Sequence, residues 1–362
     1  ITQNQHYYDP SAQYTRFHAG LLVISSSNVL IDKTTASYNV LGNGSNFLSG
    51  QDISIQVSNS LFLSNYDLSG TGNQGSTYLF SFSFGSIDIS TSSFTYNGQL
   101  LELIDGISFL RNNQITGFQF GLTGPQILID AQSGNLLMEN NYFFQTTGGS
   151  SSLILLRTYD TNVLFRNCTF DSINQGTQPM FKFIGKSSVL TKIVFKSITT
   201  TQPIIQMIDM DGSKIQGFVF SCSSFWETAL LSQNVKNLTL QDLTICHNQP
   251  TNVLKISGSE ILIMNNISIS TTTKGFDYYS YSYYNKLPLV SLQNNKEIII
   301  TNIDVKNQIT YTANFFIENK NGQSSILITN STFQSNQASQ GGAITLVLSN
   351  VNAVNITNCL FP

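Results

Sequence analysis

The sequence predicts an all-β chain, a right-handed single-stranded parallel β-helix of about 13 coils of about 25 residues. Three observations carry this. A six-residue pattern recurs along the 362 residues. A second short apolar stretch sits between its copies. The chain is also 41% hydrophobic, ample material for a continuous core, but only 10% charged, so its surface must be kept wet by Ser, Thr, Asn and Gln. Apolar residues this evenly spread argue against disorder.

The recurring pattern is apolar, any, polar (often Asn), any, any, apolar. Its clearest copies are Val57–Phe62, Phe165–Phe170, Met264–Ile269, Ile300–Val305, Ile328–Phe333 and Ile356–Phe361. Weaker copies end at Ala36, Phe94, Ile115, Phe143, Phe195, Phe220 and Ile245. The gaps between closing residues run 26, 32, 21, 28, 27, 25, 25, 25, 24, 36, 28 and 28. A period of this kind marks a solenoid, and no 3.6-residue periodicity competes with it. The second stretches include Leu100–Leu103, Ile127–Ile129, Leu153–Leu156, Ile204–Met207 and Leu289–Leu292. Each coil is therefore expected to hold two or three strands of three to five residues, rich in β-branched and aromatic side chains.

The third position is Asn in eight copies: Asn59, Asn112, Asn140, Asn167, Asn266, Asn302, Asn330 and Asn358. A tight bend needs a residue that tolerates left-handed backbone, and Asn does so more cheaply than other residues with a Cβ. Coils stack ~4.8 Å apart, so equivalent amides are expected to bond along the stack as a structural Asn ladder. Twelve such rises predict a length on the order of 60 Å. The first, fourth and sixth positions are expected to point inward, with Phe143 over Phe170 and Phe195 over Phe220 as a core ladder.

Outside the repeat, residues 1–20 read as an N-terminal cap or strap, and 21–362 as the β-helix. Insertion loops are expected near 69–77 and 271–287. The second holds Tyr278, Tyr279, Tyr281, Tyr283 and Tyr284, a candidate contact surface for a glycan or protein, since Tyr gives large area at low entropic cost. The last motif copy closes at Phe361, so the C-terminal end is expected to continue or to dock, because a bare solenoid end exposes unpaired backbone. The chain begins with Ile1 rather than Met, so the lack of a leader says nothing about compartment.

Net charge is −3 without a basic stripe, which argues against nucleic acid. No apolar run is long enough to span a bilayer. Cys222 and Cys246 stand one coil apart and could form a disulfide; two reduced thiols are the alternative. Cys168 and Cys359 share the inward fourth position and read as buried thiols. His6, His18 and His247 lie in no catalytic motif. No cofactor and no metal site are expected. Sequons occur at Asn43, Asn167, Asn237, Asn266, Asn330 and Asn355. Asn43, Asn237 and Asn355 lie off the Asn ladder and are the better acceptors; sugar on Asn167, Asn266 or Asn330 would break stacking bonds. One column has catalytic character. Asp105, Asp130 and Arg157 end the second apolar stretches of successive coils, with Asp209 and Asp211 two coils on.

Phe333-Gln-Ser-Asn336 followed by Gly341-Gly-Ala-Ile344 resembles the paired FxxN and GGAI motifs of polymorphic outer-membrane-protein repeats. Phe62–Asn65, Phe94–Asn97 and Phe109–Asn112 match the first motif only. The Asn, Gln, Ser and Ile bias also resembles the large β-helical surface proteins of ciliates and other protists. Both resemblances imply the pectin-lyase-like β-helix, display outside the cell or on its surface, and an adhesive or structural role. Polysaccharide lyases on that fold use outward Asp ligands for calcium and an Arg base, so Asp105, Asp130 and Arg157 would be the matching set. The expectation is a structural or adhesive module of a surface coat or filament. Its partners would be other subunits, met end to end or through the C-terminal face, and glycans. The alternatives are a calcium-dependent polysaccharide lyase and a glycan-binding module using the Tyr-rich loop.

Overall fold

The structure is a computed structural model. It describes residues 20–37, 40–41, 46–63, 66–67, 78–95, 99–117, 127–131, 134–145, 152–158, 162–225, 228–247, 252–271, 288–306, 309–310, 313–320, 324–334, 336–338, 342–349 and 351–361. Those residues form strands and bends with no helix. The chain divides into two compact units, Ile1–Lys182 and Phe183–Pro362. Each is a parallel β-helix, in which every strand pairs in parallel with the strand one coil further along.

The registers follow the six-residue motif. In the first unit Ala36 pairs with Phe62, Phe62 with Phe94, Phe94 with Ile115, Ile115 with Phe143 and Phe143 with Phe170. In the second, Phe195 pairs with Phe220, Phe220 with Ile245, Ile245 with Ile269, Ile269 with Val305 and Val305 with Phe333. A one-residue slip would turn every one of these side chains outward, so the buried face sets the register.

The sixth position is the core ladder. Phe62 and Phe94 stack at 5.0 Å, Phe143 and Phe170 at 4.7 Å, Phe195 and Phe220 at 4.7 Å, and Phe333 and Phe361 at 5.3 Å. Phe181 meets Phe170 edge-on at 4.8 Å. Burying each of these rings except Phe361, which is 51% exposed, contributes about 1.5–3 kcal/mol, with roughly 0.5–1.5 kcal/mol more for each aromatic pair.

All eight motif asparagines, from Asn59 to Asn358, have positive φ between 49° and 57°, and all are exposed. The other five coils put Lys33, Thr91, Lys192, Gly217 and Asp242 in the same conformation. The bend is thus a property of the backbone at this position, and Asn is its most frequent solution.

The expected amide ladder is confined to part of this row. Asn140 Nδ2 donates to Asn112 Oδ1 at 3.0 Å and Asn167 Nδ2 to Asn140 Oδ1 at 2.8 Å, so three consecutive coils are joined as expected. Asn266 Nδ2 donates to Asp242 Oδ1 at 2.7 Å. Asn59 departs from the expectation and, among the described residues, bonds to no other Asn. Its Nδ2 donates to Asp32 Oδ1 at 3.0 Å, and its Oδ1 accepts from Thr91 Oγ1 at 2.9 Å. The reason is composition: the coils on either side carry Lys33 and Thr91 at the bend, so no amide is within reach. The row has a step at Asn302, whose Nδ2 donates to Asn265 Oδ1 (3.1 Å), one residue before the expected Asn266. Asn358 departs as well. It keeps the bend, with φ of 53°, but among the described residues no bond joins its amide to that of Asn330. The two coils meet there through backbone, as Asn330 N–H donates to Thr357 O at 3.2 Å.

The strands are longer than expected in part of the first unit. Asn46–Ser58, Tyr78–Ser90 and Gln99–Arg111 each run for 13 residues. They pass through a second left-handed bend at Asp52, Phe84 and Asp105 without losing the ladder. Of the expected cap and insertions, residues 1–19, 69–77 and 272–287 lie outside the described residues.

Candidate functional site

Two kinds of bend organise the polar side chains. At the motif bend the residue after the left-handed one points inward, and its own N–H faces away from the sheet ladder. In the first unit a side chain of the next coil satisfies it. Thr34 N–H donates to Ser60 Oγ, Ser60 N–H to Ser92 Oγ, Ser92 N–H to Asn113 Oδ1 and Asn113 N–H to Asn141 Oδ1, at 3.0–3.1 Å. Asn141 also donates to Leu110 O at 2.7 Å. The second unit does the same at its second bend, where Ser259 N–H donates to Asn295 Oδ1 and Asn295 N–H to Asn319 Oδ1, both at 2.9 Å. Buried amides are costly unless bonded, so these asparagines complete the fold and are held by it.

The second bend carries a surface row. In the first unit it consists of Ser26, Asp52, Phe84 and Asp105, with φ between 48° and 56°. In the second unit it consists of Asp209, Asn234, Gly258 and Asn294. Asp, Asn, Ser and Gly suit this backbone. Phe84 does not: a bulky side chain in left-handed backbone is an outlier, with strain of order 1–3 kcal/mol. Its ring is nonetheless 50% exposed. The groove beside it, about 580 Å³, is lined by Ser26, Ser27, Asn28, Asp52, Ile53, Ser54, Phe84, Gly85 and Ser86. Ser54 and Ser86 share a hydrogen bond of 3.0 Å. Gly85 is required there, since a Cβ would lie 2.1 Å from Ile53 O.

A third array alternates in charge. Just after the second bend of the second unit, successive coils place Lys186, Asp211, Lys236, Glu260 and Lys296 side by side. Lys236 Nζ lies 2.5 Å from Asp211 Oδ1, and Lys296 Nζ 3.4 Å from Glu260 Oε1. The bond from Lys236 holds the Asp211 carboxyl below its usual range, and Asp211 raises Lys236 in turn.

The sequence-derived candidates fall as follows. The register sets Asp130 beside Arg157. Asp105 departs from the expected column: Leu103 pairs with Ile129, a step of 26 residues, so Asp105 lies one position past the Asp130 row and sits in the bend. The side chains of Asp130 and Arg157 are outside the described ones. Asp209 accepts a bond from Asn234 Nδ2 at 2.9 Å, and Asp211 belongs to the charge row. Tyr278, Tyr279, Tyr281, Tyr283, Tyr284 and Asn43 lie outside the described residues. Asn237 and Asn355 are exposed, and so are Asn167, Asn266 and Asn330. Cys246 falls where the register shifts between Phe220 and Ser223, next to Cys222, whose side chain is not described. Cys168 is fully buried, and burial pushes its thiol up to about 11. Cys359, expected to be equally buried, is only half-buried, because no further coil covers it among the described residues. Asn336, the last residue of the FxxN motif, donates to Val305 O at 3.0 Å.

Sequence reasoning missed the Phe84 groove and the charge row. The signal for the row was present as opposite charges recurring one coil apart. For the groove, only the unusual Phe84-Gly85 pair pointed to it. Comparison with family models, with curated proteins and with solved structures finds no match. Fold and site together define a parallel β-helix repeat protein with a hydroxyl- and amide-rich surface.

Proposed function

We propose that the chain is a structural or adhesive extracellular β-helix module of a surface coat or filament. One observation carries this reading: polar side chains at the bends bond to equivalent side chains one coil away. Asn112, Asn140 and Asn167 form one such run, and Asn234 with Asp209 forms another. These groups stiffen the stack and leave a surface of amides and hydroxyls with few charges. Such a surface suits packing of many copies and long exposure to solvent. The resemblance to bacterial and protist surface repeats supports the same assignment. Partners would then be other coat or filament subunits, with glycans as a second class, and the exposed Asn237 and Asn355 would carry sugar in a eukaryotic secretory pathway.

Electron microscopy of the native assembly tests this. Regular arrays or filaments built from this chain are the expected result. Calcium held at Asp105 and Asp130, together with cleavage of acidic polysaccharide lost in Arg157→Ala, would overturn it.

A further inference from the structure

We infer that the groove at Phe84 is a binding site for an uncharged saccharide, with the ring as its stacking platform and Asp52 and the neighbouring serines as hydroxyl partners. Phe84 contributes nothing to the core, being 50% exposed, yet it occupies backbone with φ of 54° that Asn, Asp or Gly would accept without strain. The same row in the second unit uses Asp, Asn and Gly. The fold does not account for an aromatic here, whereas a ligand would.

The face of an aromatic ring is electron-rich and apolar. It attracts the polarised C–H face of a pyranose, while the sugar hydroxyls need acceptors and donors at the rim. The groove supplies them: the exposed Asp52 carboxylate, an acceptor with two oxygens able to hold a vicinal diol, and hydroxyls at Ser26, Ser27, Ser54 and Ser86. Among the described residues no cation lines the groove. The carboxylate would repel a uronate or sulfate, so the site selects neutral sugars over acidic ones. A volume of about 580 Å³ falls within the usual range for small-ligand sites. The floor is rigid, because Gly85 packs against Ile53 O and a Cβ at Gly106 would in turn lie 2.3 Å from Gly85 O.

This inference goes beyond the coat reading and does not depend on it, since assembly and sugar binding are read by different measurements. The test applies the full chain to immobilised neutral oligosaccharides (glucans, mannans and galactans), with polygalacturonate and heparin as acidic controls. Phe84→Asn is the informative variant, because Asn fits the bend and keeps the fold. At least one neutral oligosaccharide should bind, with a dissociation constant on the order of 0.1–1 mM. Phe84→Asn should weaken that binding at least about tenfold with no fall in melting temperature, Asp52→Asn should weaken it, and Phe84→Trp should keep it. The inference is overturned if no neutral oligosaccharide binds, if only the acidic controls bind, or if Phe84→Asn binds as the parent does.

Discussion

Lys236 is held on one side by Asp211, 2.5 Å away, and feels the charge of Glu260 in the coil on the other, while Glu260 itself pairs with Lys296. Coulomb attraction between exposed groups is weak and screened by salt. Replacing Lys236 by Glu would put three carboxylates in consecutive coils. The melting temperature at low salt should fall by on the order of a few degrees, and 1 M salt should remove most of the difference. The pH window follows from the shifts. The carboxyl of Asp211 is depressed, so its contribution is present above the ordinary carboxylate range and is lost as pH falls through the lowered value. Lys236 is raised, so its contribution is present below the ordinary lysine value and is lost as pH rises through the higher one. The difference between the parent and Lys236→Met should therefore be flat between the two limits and vanish beyond either. Melting curves across pH check this.

Phe170 is fully buried between the stacked Phe143 and the edge-on Phe181. Phe170→Ala should cost about 3–5 kcal/mol by urea denaturation, from the lost transfer energy and the cavity left behind.

The adjacent residues Asn140 and Asn141 separate backbone from hydrogen-bond effects. Asn140 is exposed with φ of 55°, so Asn140→Gly keeps the bend and loses only the ladder bonds to Asn112 and Asn167, about 0.5–1.5 kcal/mol each, while Asn140→Val adds about 1–2 kcal/mol of backbone strain to that loss. Asn141 is buried and serves both Asn113 N–H and Leu110 O. Asn141→Ala should cost about 1–3 kcal/mol for each group left unpaired. Chemical denaturation of the three variants distinguishes these outcomes.

The Cys168 thiol, raised to about 11 by burial, stays protonated and shielded at neutral pH. Its neutral form favours the fold below the ordinary thiol value, and that advantage is lost as pH climbs toward 11. Iodoacetamide at pH 8 should leave Cys168 unmodified in the native protein and alkylate it after denaturation. Peptide mass spectrometry reads this, and a non-reduced sample also decides whether Cys222 and Cys246 are joined.

The motif bend was legible because it constrains residue type. Phe, Ile and Val at the closing position must be buried, and their numbering alone gives the coil-to-coil register from Ala36 to Phe333. The side-chain bonds at the bend were less legible. Left-handed backbone is compatible with Asn59 beside Lys33 and Thr91, so an Asn in the row does not guarantee an amide neighbour. The second bend was not legible. Ser26, Asp52, Phe84 and Asp105 share a conformation but no chemistry, and no alternating pattern leads to them. The acidic column rested on Asp105, Asp130 and Arg157 each ending the second apolar stretch of its coil, whereas the step from Leu103 to Ile129 takes 26 residues and moves Asp105 one position out of line. The alternating charges are less legible because Glu260 and Lys296 are separated in sequence by the long 272–287 segment, which hides their adjacency.

The buried caps at the motif bend run one way. Each inward N–H, from Thr34 to Ser60, Ser92 and Asn113, finds its acceptor in the coil that follows in sequence. Across the coils from Thr34 to Asn141, a nascent chain leaving the ribosome therefore carries one unfinished corner, the newest, and each coil synthesised seals the one before it. Growth in that order hides polar backbone as it proceeds. Unravelling this run from its later end would reopen one buried donor at a time, so these coils have a built-in direction of assembly and of wear.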